Sequence, residues 1–359
     1  MSKTKINIVW LKRDLRTQDH VPLQLAENSG IPYLILFLYE PALIDYPDSS
    51  PRHLQFCHHS IVQMNESLSK TNQSVTECYG EAVDVFEYFT ESYSVQSVFS
   101  YRESGIKLTW ERDKAIKELL KSKGIKWKQL QRDNVLRGIK NRDNWDKIWY
   151  QTMNQVALTN SYSQKEKLVV EHPFLIPKEF KIILKNYPNS FQPAGEKNGW
   201  KYLRSFVKDR GKNYNRHISK PAESRVSCGR VSPYVSWGNI SIKQAAQFVK
   251  AHKNYPKNAR AFNGMLTRLK WHCHFIQKFE MECAYEYRCV NRGYELLEYE
   301  RNEDFINAWK NIDKPIVTII TEIIGSPIMG RNTIICSIMP NTAIKAMVSK
   351  NPTIKGNSK

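Results

Sequence analysis

The first 130 residues alternate short β-rich runs with segments of helical periodicity, and this order constrains the fold more than any other feature. The runs are INIVWL from Ile6, YLILFLY from Tyr33, SVTECYG from Ser74, SVQSVFSYR from Ser94 and IKWKQL from Ile125. Strands that alternate with helices predict a parallel sheet with helices on both faces. We therefore predict an α/β domain with a Rossmann-like sheet over residues 1–130, with helix boundaries at Ser50 and Pro51 and between Gly105 and Gly124.

The rest of the chain divides by composition into three further parts. Residues 131–195 carry Pro173, Pro177, Pro188 and Pro193, which predicts a surface connector made of several short turns. From residue 196 to 311 the hydrophobic period becomes helical, so we predict an all-α domain there, with Ser241 capping one of its helices.

Residues 312–359 differ in composition from everything before them. All 9 Trp, 18 Tyr and 14 Phe lie before residue 312, and the tail is rich in Ile and contains no Leu. A basic extension fits the charge of this tail but not its composition. We expect a change of reading frame or a truncation near residue 311, which would leave the helical domain incomplete.

Positive charge is concentrated in the predicted helical domain. The chain has 54 Lys plus Arg against 35 Asp plus Glu, a net charge of +19, and residues 196–311 supply 22 − 11 = +11 of it. A basic domain of this kind attracts polyanions, so we expect DNA as a partner, with solvated basic surface as the alternative.

Cysteine usage and the start of the chain indicate the compartment. The 7 Cys include no C-x-x-C pair, which is typical of reduced thiols in a cytoplasmic protein. The N-terminus leads directly into the first β-rich run, and no nearby apolar stretch is long enough to cross a bilayer. We therefore expect a cytoplasmic monomer without membrane contact.

The run SRVSCGRVSPYVSWGN at residues 224–239 has the features of an anion-binding site. Ser232 is a favourable N-cap and Pro233 follows at the first helical position, while Arg225 and Arg230 add cations nearby. Free backbone N–H groups at a helix start bind phosphate readily. The alternative is an ordinary capped helix beside two solvated arginines.

The N-terminal run VWLKRDLRTQDHVPLQLA at residues 9–26 resembles the W-x-R-x-D-L-R-x-x-D signature of the photolyase and cryptochrome family. The run places Trp10, Arg13, Asp14, Leu15, Arg16 and Asp19 at the end of the first strand and in the following loop. For Arg13 and Asp14 we expect a structural role in fixing the loop and the contact between domains.

The resemblance implies a flavin adenine dinucleotide (FAD) site in the helical domain. The family places a Tyr about a dozen residues before a T-S-R-L-S-type run, and here Tyr214 precedes CGRVS, two residues farther away than usual. Cys228 and Gly229 replace residues that carry hydroxyl groups, and Ser227 could compensate for them. The implied cofactor residues are Tyr214, Ser227, Cys228, Gly229, Arg230, Val231 and Ser232.

The run RLKWHCHFIQKF at residues 268–279 resembles the family helix that faces flavin and DNA lesion. It implies DNA or lesion contacts by Arg268, Trp271, His272 and Phe275, and Lys278 falls on the same helical stripe as the two aromatic residues. The alternative is an aromatic stripe in the core. Arg268 stands where the family has a Glu, and an Arg cannot accept a hydrogen bond. Consecutive His and Cys residues on a helix diverge, so no metal site is expected here.

The resemblance covers residues 6–311, and it implies that Tyr299 takes the place of the outer member of an electron-transfer chain, with an ordinary surface Tyr as the alternative. It implies a photolyase (deoxyribodipyrimidine photo-lyase) that uses light and reduced FAD to split pyrimidine dimers in damaged duplex DNA. A cryptochrome-type blue-light photoreceptor and an inactive truncated member remain alternatives, so enzyme activity stays undecided. The antenna chromophore, of folate or deazaflavin type, is also undecided.

Overall fold

The computed structural model describes residues 3–163, 166, 168–303, 306 and 351–352. The chain forms two compact units, Met1–Met281 and Glu282–Lys359. In the described part of the chain, no helix combines the length and the apolar character that a bilayer crossing requires.

The first unit is built on a sheet of five parallel strands. The strands are β1 (Lys5–Leu11), β2 (Tyr33–Tyr39), β3 (Val75–Tyr79), β4 (Ser94–Tyr101) and β5 (Lys126–Leu130), in the order β3-β2-β1-β4-β5. All neighbouring pairs are parallel. This confirms the predicted α/β class, and each strand coincides with one of the β-rich runs.

Side chains of β1 alternate between two buried faces of the sheet. Ile6, Ile8 and Trp10 belong to one core cluster, whereas Val9 and Leu11 belong to the other. Such burial on both sides requires helices on both faces. These helices are α1 (Val21–Asn28), α2 (Pro41–Ile44), α3 (Pro51–Leu68), α4 (Ala82–Ser92) and α5 (Lys107–Ser122), with a 3-10 turn at Ser69–Thr71.

The predicted connector is more regular than its prolines indicate. It contains helices α6 (Trp145–Asn154) and α7 (Lys178–Lys185). Trp145, Trp149 and Met153 on α6 are buried in the core of the helical region. The prediction of surface turns was therefore wrong for α6, because its apolar residues at i, i+4 and i+8 form a buried stripe.

From residue 196 to residue 281 the regular elements are helical. Its helices are α8 (Glu196–Lys208), α9 (Tyr214–His217), α10 (Pro221–Ser227), α11 (Ser232–Ser236), α12 (Ile242–Ala251) and α13 (Tyr255–Met281), with a 3-10 turn at Arg210–Asn213. Ser241 caps α12 in a capping box with Gln244, which confirms the predicted cap. Leu203, Phe206 and Phe262 are fully buried in the core of this region.

The second unit contains 3-10 turns at Cys283–Glu286 and Arg292–Leu296. Two short strands, β6 (Tyr299–Glu300) and β7 (Asn351–Pro352), pair in antiparallel fashion. Apart from residues 351–352, the tail of unusual composition lies outside the described residues. The boundaries at residues 130, 195 and 311 stay predictions.

Candidate functional site

The loop after β1, residues 12–20, is held by buried hydrogen bonds of its own. The Asp14 carboxylate accepts from the Lys12 backbone N–H at 2.7 Å and contacts His20 Nε2 at 2.8 Å. His20 Nδ1 accepts from the Leu23 N–H at 3.2 Å, so Nε2 carries the proton donated to Asp14. Burial lowers the pKa of His20, although the Asp14 carboxylate opposes this shift. The arrangement fits the structural role expected for Asp14.

This loop is joined to the segment between α11 and α12. We call residues 12–20 and 237–243 together the seam. The Leu15 N–H donates to the Trp237 carbonyl at 3.0 Å, and the Asn239 amide donates to the Leu15 carbonyl at 2.8 Å. Both partners of the second bond are fully buried. The signature loop therefore joins the sheet to the helical region.

Charged side chains complete the seam. Arg16 donates to the Gly238 carbonyl at 3.1 Å. Asp19 accepts from the Ser241 hydroxyl at 2.6 Å and forms an ion pair of 2.9 Å with Lys243. Ser241 thus caps α12 and binds the loop at the same time, a double role that its position before a helix did not predict.

An ion network missed by sequence reasoning lies at the carboxyl ends of the strands. Arg112 donates to Glu40 at 2.8 Å and to Glu103 at 2.8 Å, while Lys12 pairs with Asp113 at 2.8 Å. Burial alone would raise the pKa of Glu103, but the charges of Arg112, Arg13 and Lys12 together outweigh burial and hold this pKa well below its usual range. The signal available in the sequence was the charged residue that follows each of β1, β2 and β4.

The predicted cofactor residues occupy three consecutive short helices and their links. Tyr214 opens α9, Ser227 ends α10 and Ser232 opens α11, with Cys228, Gly229, Arg230 and Val231 between α10 and α11. We call residues 225–231 the cofactor link. Ser232 is not the N-cap: Val231 takes that position, and no side chain caps the helix. Since α11 has only 5 residues, its N-terminus is a poor anion site. The prediction of a capped helix start was wrong here.

Arg210 shapes this link, and sequence reasoning missed it because it lies in a 3-10 turn outside the motif. Its guanidinium donates to the carbonyls of Val226 and Cys228, both at 2.6 Å, and to that of Tyr202 at 2.9 Å. Burial lowers the pKa of Arg210, and the charge of Arg230 lowers it further. The two guanidinium groups therefore lie near one another.

Arg225 and Arg230 add further positive charge. Arg230 adopts a left-handed conformation with φ +57, and its guanidinium reaches the Arg225 carbonyl at 3.3 Å and the Gln192 side-chain oxygen at 3.3 Å. Within the described residues, Arg210, Arg225 and Arg230 form no ion pair with a carboxylate. This charge fits the diphosphate of a bound FAD.

The hydroxyl groups around the link are few. The Ser227 hydroxyl lies 2.7 Å from His217 Nδ1, so a ligand would share this hydroxyl with His217. A Cβ atom at Gly229 would lie 2.9 Å from Met265 Cε, so the flexible end of Met265 would have to shift to admit a hydroxyl-bearing side chain. The phosphates would depend more on cations and backbone N–H groups than on hydroxyl groups.

The structure brings the cofactor motif and α13 together. The Arg268 guanidinium lies close enough to the Tyr214 hydroxyl and to Cys228 to influence the pKa of each. Burial raises the pKa of Tyr214 to about 12, with a small opposing effect from Arg268. Arg268, predicted only as a DNA residue, thus also contacts a predicted cofactor residue.

The aromatic stripe of α13 faces solvent. Trp271 is 43% exposed and Phe275 is 45% exposed, so the core alternative is wrong for both. Their rings meet at right angles, 6.2 Å between centroids, and the Arg268 guanidinium lies 4.1 Å from the Trp271 ring centroid. The Arg268 cation covers one face of the Trp271 indole. The uncovered parts of the Trp271 and Phe275 rings form an open corner, which we call the α13 corner.

Two predicted residues remain, His272 and Tyr299. His272 is largely buried, and its Nε2 atom has no hydrogen-bond partner within the described residues. Burial lowers the pKa of His272, which keeps the ring neutral near pH 7. Tyr299 lies in β6, and its electron-transfer role stays a prediction.

Comparisons with known proteins agree with these features. Residues 7–156 match the family model described as DNA photolyase. The chain is 21% identical to the deoxyribodipyrimidine photo-lyase of Vibrio cholerae over 291 residues, covering 74% of this chain and 60% of that protein. It is 25% identical to the cryptochrome DASH of Synechocystis over 101 residues, covering 27% of this chain and 21% of that protein.

The fold matches solved structures over a greater length. An archaeal photolyase from Sulfolobus tokodaii, solved with two FAD molecules, superimposes with a TM-score of 0.65 at 21% identity, covering 85% of this chain and 66% of that one. The chain thus spans less than two thirds of the length of these relatives. The family match over residues 7–156, the two relatives and the shared fold show that this chain is similar to photolyases and cryptochromes.

Proposed function

We propose that the chain acts as a photolyase-like flavoprotein that binds damaged DNA and splits pyrimidine dimers by light-driven electron transfer from reduced FAD. The exposed Trp271 and Phe275 corner carries this proposal. Large aromatic residues are normally buried, and two exposed rings one helical turn apart are typical of a surface that stacks on bases. The positive charge of the helical region supplies the attraction to DNA.

The geometry of the corner suits a base that has left the duplex. Arg268 covers part of the Trp271 ring, and Phe275 stands perpendicular to it. A flipped base would stack on the open indole face with its edge toward Phe275. Each such stacking contact contributes about 1–3 kcal/mol to binding.

The cofactor would be held on the other side of Arg268. Tyr214 and the Arg210, Arg225 and Arg230 side chains would bind its diphosphate, and Gly229 would let the backbone approach. Bound FAD would supply the excited electron, while the protein supplies position and charge.

Arg268 favours a second function. In the position where the family carries a carboxylate, this guanidinium already contacts Tyr214 and Trp271 and cannot accept a hydrogen bond from a dimer. A cryptochrome-type photoreceptor, in which flavin photoreduction changes a partner contact without repair, needs no such acceptor.

The absorption spectrum of the purified chain provides the first test. A structured flavin band supports both functions, and a colourless protein that takes up no added FAD contradicts both. Lit repair of a dimer-containing oligonucleotide then separates them. Repair supports the photolyase, while flavin binding without repair, beside an active photolyase control, supports the photoreceptor.

Binding to DNA can be tested without light. Trp271→Ala should weaken binding to dimer-containing DNA by about tenfold, since it removes one stacking plane. Tyr88→Ala, which removes an aromatic ring from α4 in the sheet region, serves as the control and should bind like the original protein. Equal loss in the two variants would refute the role of the α13 corner.

A further inference from the structure

A cleft lies between the signature loop, α3 and α8, away from the predicted flavin and DNA residues. Its volume is about 270 Å³, close to the lower limit of small-molecule pockets. Thr17, Gln63, Glu196, Lys197, Trp200 and Arg204 line it. None of these residues belongs to the predicted cofactor or lesion sites.

The floor of the cleft is an indole beside a carboxylate. Glu196 accepts two bonds of 2.9 Å from Thr17, one from its N–H and one from its hydroxyl. Trp200 lies close enough to Glu196 to influence its pKa, and the Trp200 ring packs edge-on against Phe248 with 5.3 Å between ring centroids. A carboxylate has about four acceptor positions, so Glu196 retains room for a donor on a ligand.

The mouth of the cleft is cationic. The Arg204 guanidinium is exposed, lies 5.7 Å from the Trp200 ring centroid and, within the described residues, pairs with no carboxylate. Lys197 forms an ion pair of 2.9 Å with Glu66, in which both side chains are more than half exposed. An exposed pair of this kind is weak and can exchange its partner for an anion.

The amide of Gln63 adds a donor between floor and mouth. Its oxygen is occupied because it accepts from the Lys197 N–H at 2.6 Å. Its NH₂ group is therefore the part of the amide that remains for a ligand. The cleft thus combines the flat apolar ring of Trp200, the acceptor Glu196 in its interior and the cations Arg204 and Lys197 at its mouth.

From this arrangement we propose that the cleft binds an adenine nucleotide. The base lies along Trp200, its exocyclic amine donates to Glu196, and its phosphate meets Arg204 and Lys197 at the mouth. Stacking on an indole and charge-assisted hydrogen bonds to phosphate are the strongest contacts that such residues offer. The site is independent of the proposed flavin site.

Adenosine monophosphate is a suitable probe, measured by isothermal titration calorimetry on the flavin-free full chain. Arg204→Ala should weaken its binding by about tenfold. Lys201→Ala removes the same charge from an exposed position of α8 outside the lining and should leave binding unchanged. Loss of affinity in the Lys201→Ala protein equal to that in the Arg204→Ala protein would refute the proposal.

Two further measurements test the orientation and location of the ligand. Inosine monophosphate carries an acceptor in place of the amine, so it should bind about tenfold more weakly than adenosine monophosphate, and Glu196→Gln should reduce this difference. Arg230→Ala should leave binding unchanged. If Arg230→Ala abolishes binding and Arg204→Ala does not, the nucleotide occupies the flavin phosphate site and the proposal is wrong.

Discussion

The seam and the predicted cofactor link are both rich in arginine and both carry sequence motifs, yet they use their polar groups in opposite ways. In the seam, the carboxylate of Asp14 and the guanidinium of Arg16 are buried and bonded to protein atoms. In the link, Arg225 is exposed and Arg230 reaches only uncharged oxygen atoms. The difference separates a motif that builds the fold from one that is available to a ligand.

The largest expected effect tests the buried ion network around Arg112, which adjoins the seam through Asp113 and Lys12. Arg112→Met should destabilise the protein by about 3–5 kcal/mol, because Glu40 and Glu103 would lose their shared partner inside the protein. Urea denaturation followed by circular dichroism measures the change. Lys123→Ala breaks a partly exposed ion pair with Glu91 and should cost less than about 1 kcal/mol. Similar losses in the two variants would mean that burial does not matter for these pairs.

A slightly smaller effect is expected where the two backbones of the seam meet. Gly238 has φ +70, and a Cβ atom there would lie 2.2 Å from the carbonyl oxygen of Arg13. Gly238→Ala should therefore cost about 2–3 kcal/mol, from strain and overlap together. Gly124 has φ +69 with open space around it, so Gly124→Ala should cost only about 1 kcal/mol. Equal costs would show that the close approach contributes nothing.

The pH dependence of stability tests the protonation state within the seam. Because burial lowers the pKa of His20, the unfolded chain binds a proton more readily than the folded one below about pH 6.5. Stability should thus fall as the pH falls. Between pH 7 and pH 5.5 the original protein should lose about 1 kcal/mol more than His20→Gln. A pH profile identical in the two proteins would contradict a neutral, buried His20.

The smallest effect on stability is expected in the cofactor link, where function should change instead. Arg225→Ala should alter the free energy of unfolding by less than about 0.5 kcal/mol, since this side chain is exposed. It should weaken FAD binding by about tenfold, because one of the three unpaired cations is lost. Fluorescence titration with FAD measures the affinity, with Lys201→Ala as the control. A strongly destabilised Arg225→Ala protein would remove the contrast with the seam.

Most of the fold could be predicted from the sequence because its signals are local. Each β-rich run is short, apolar and followed by a helical pattern, so periodicity alone located the strands. The capping of α12 followed from Ser241 in the same way, and the structure adds Gln244 as the second member of the capping box. Helix α6 was missed because prolines farther along the segment dominated the interpretation, while Trp145 and Trp149 find their burial only in tertiary contacts.

For the candidate site, the sequence predicted the helical stripe on α13 but not the contacts of its residues. The stripe of Trp271 and Phe275 followed from helical spacing, but exposure depends on which face of α13 the core covers. Arg210 gave no local signal, since two of the carbonyls that it binds lie 16 and 18 residues later and a third lies 8 residues earlier. The misplaced cap at Ser232 reflects the ordinary uncertainty of helix ends, although here it also removed an expected anion site.

The seam also determines which motions are open to the molecule. A hinge needs residues whose backbone angles can change without breaking buried bonds. Between the sheet and the helical region, Leu15 and Asn239 are bonded to each other in the interior, and Gly238 has no room for even a methyl group against residue 13. We therefore expect the sheet and the helical region to move as one body.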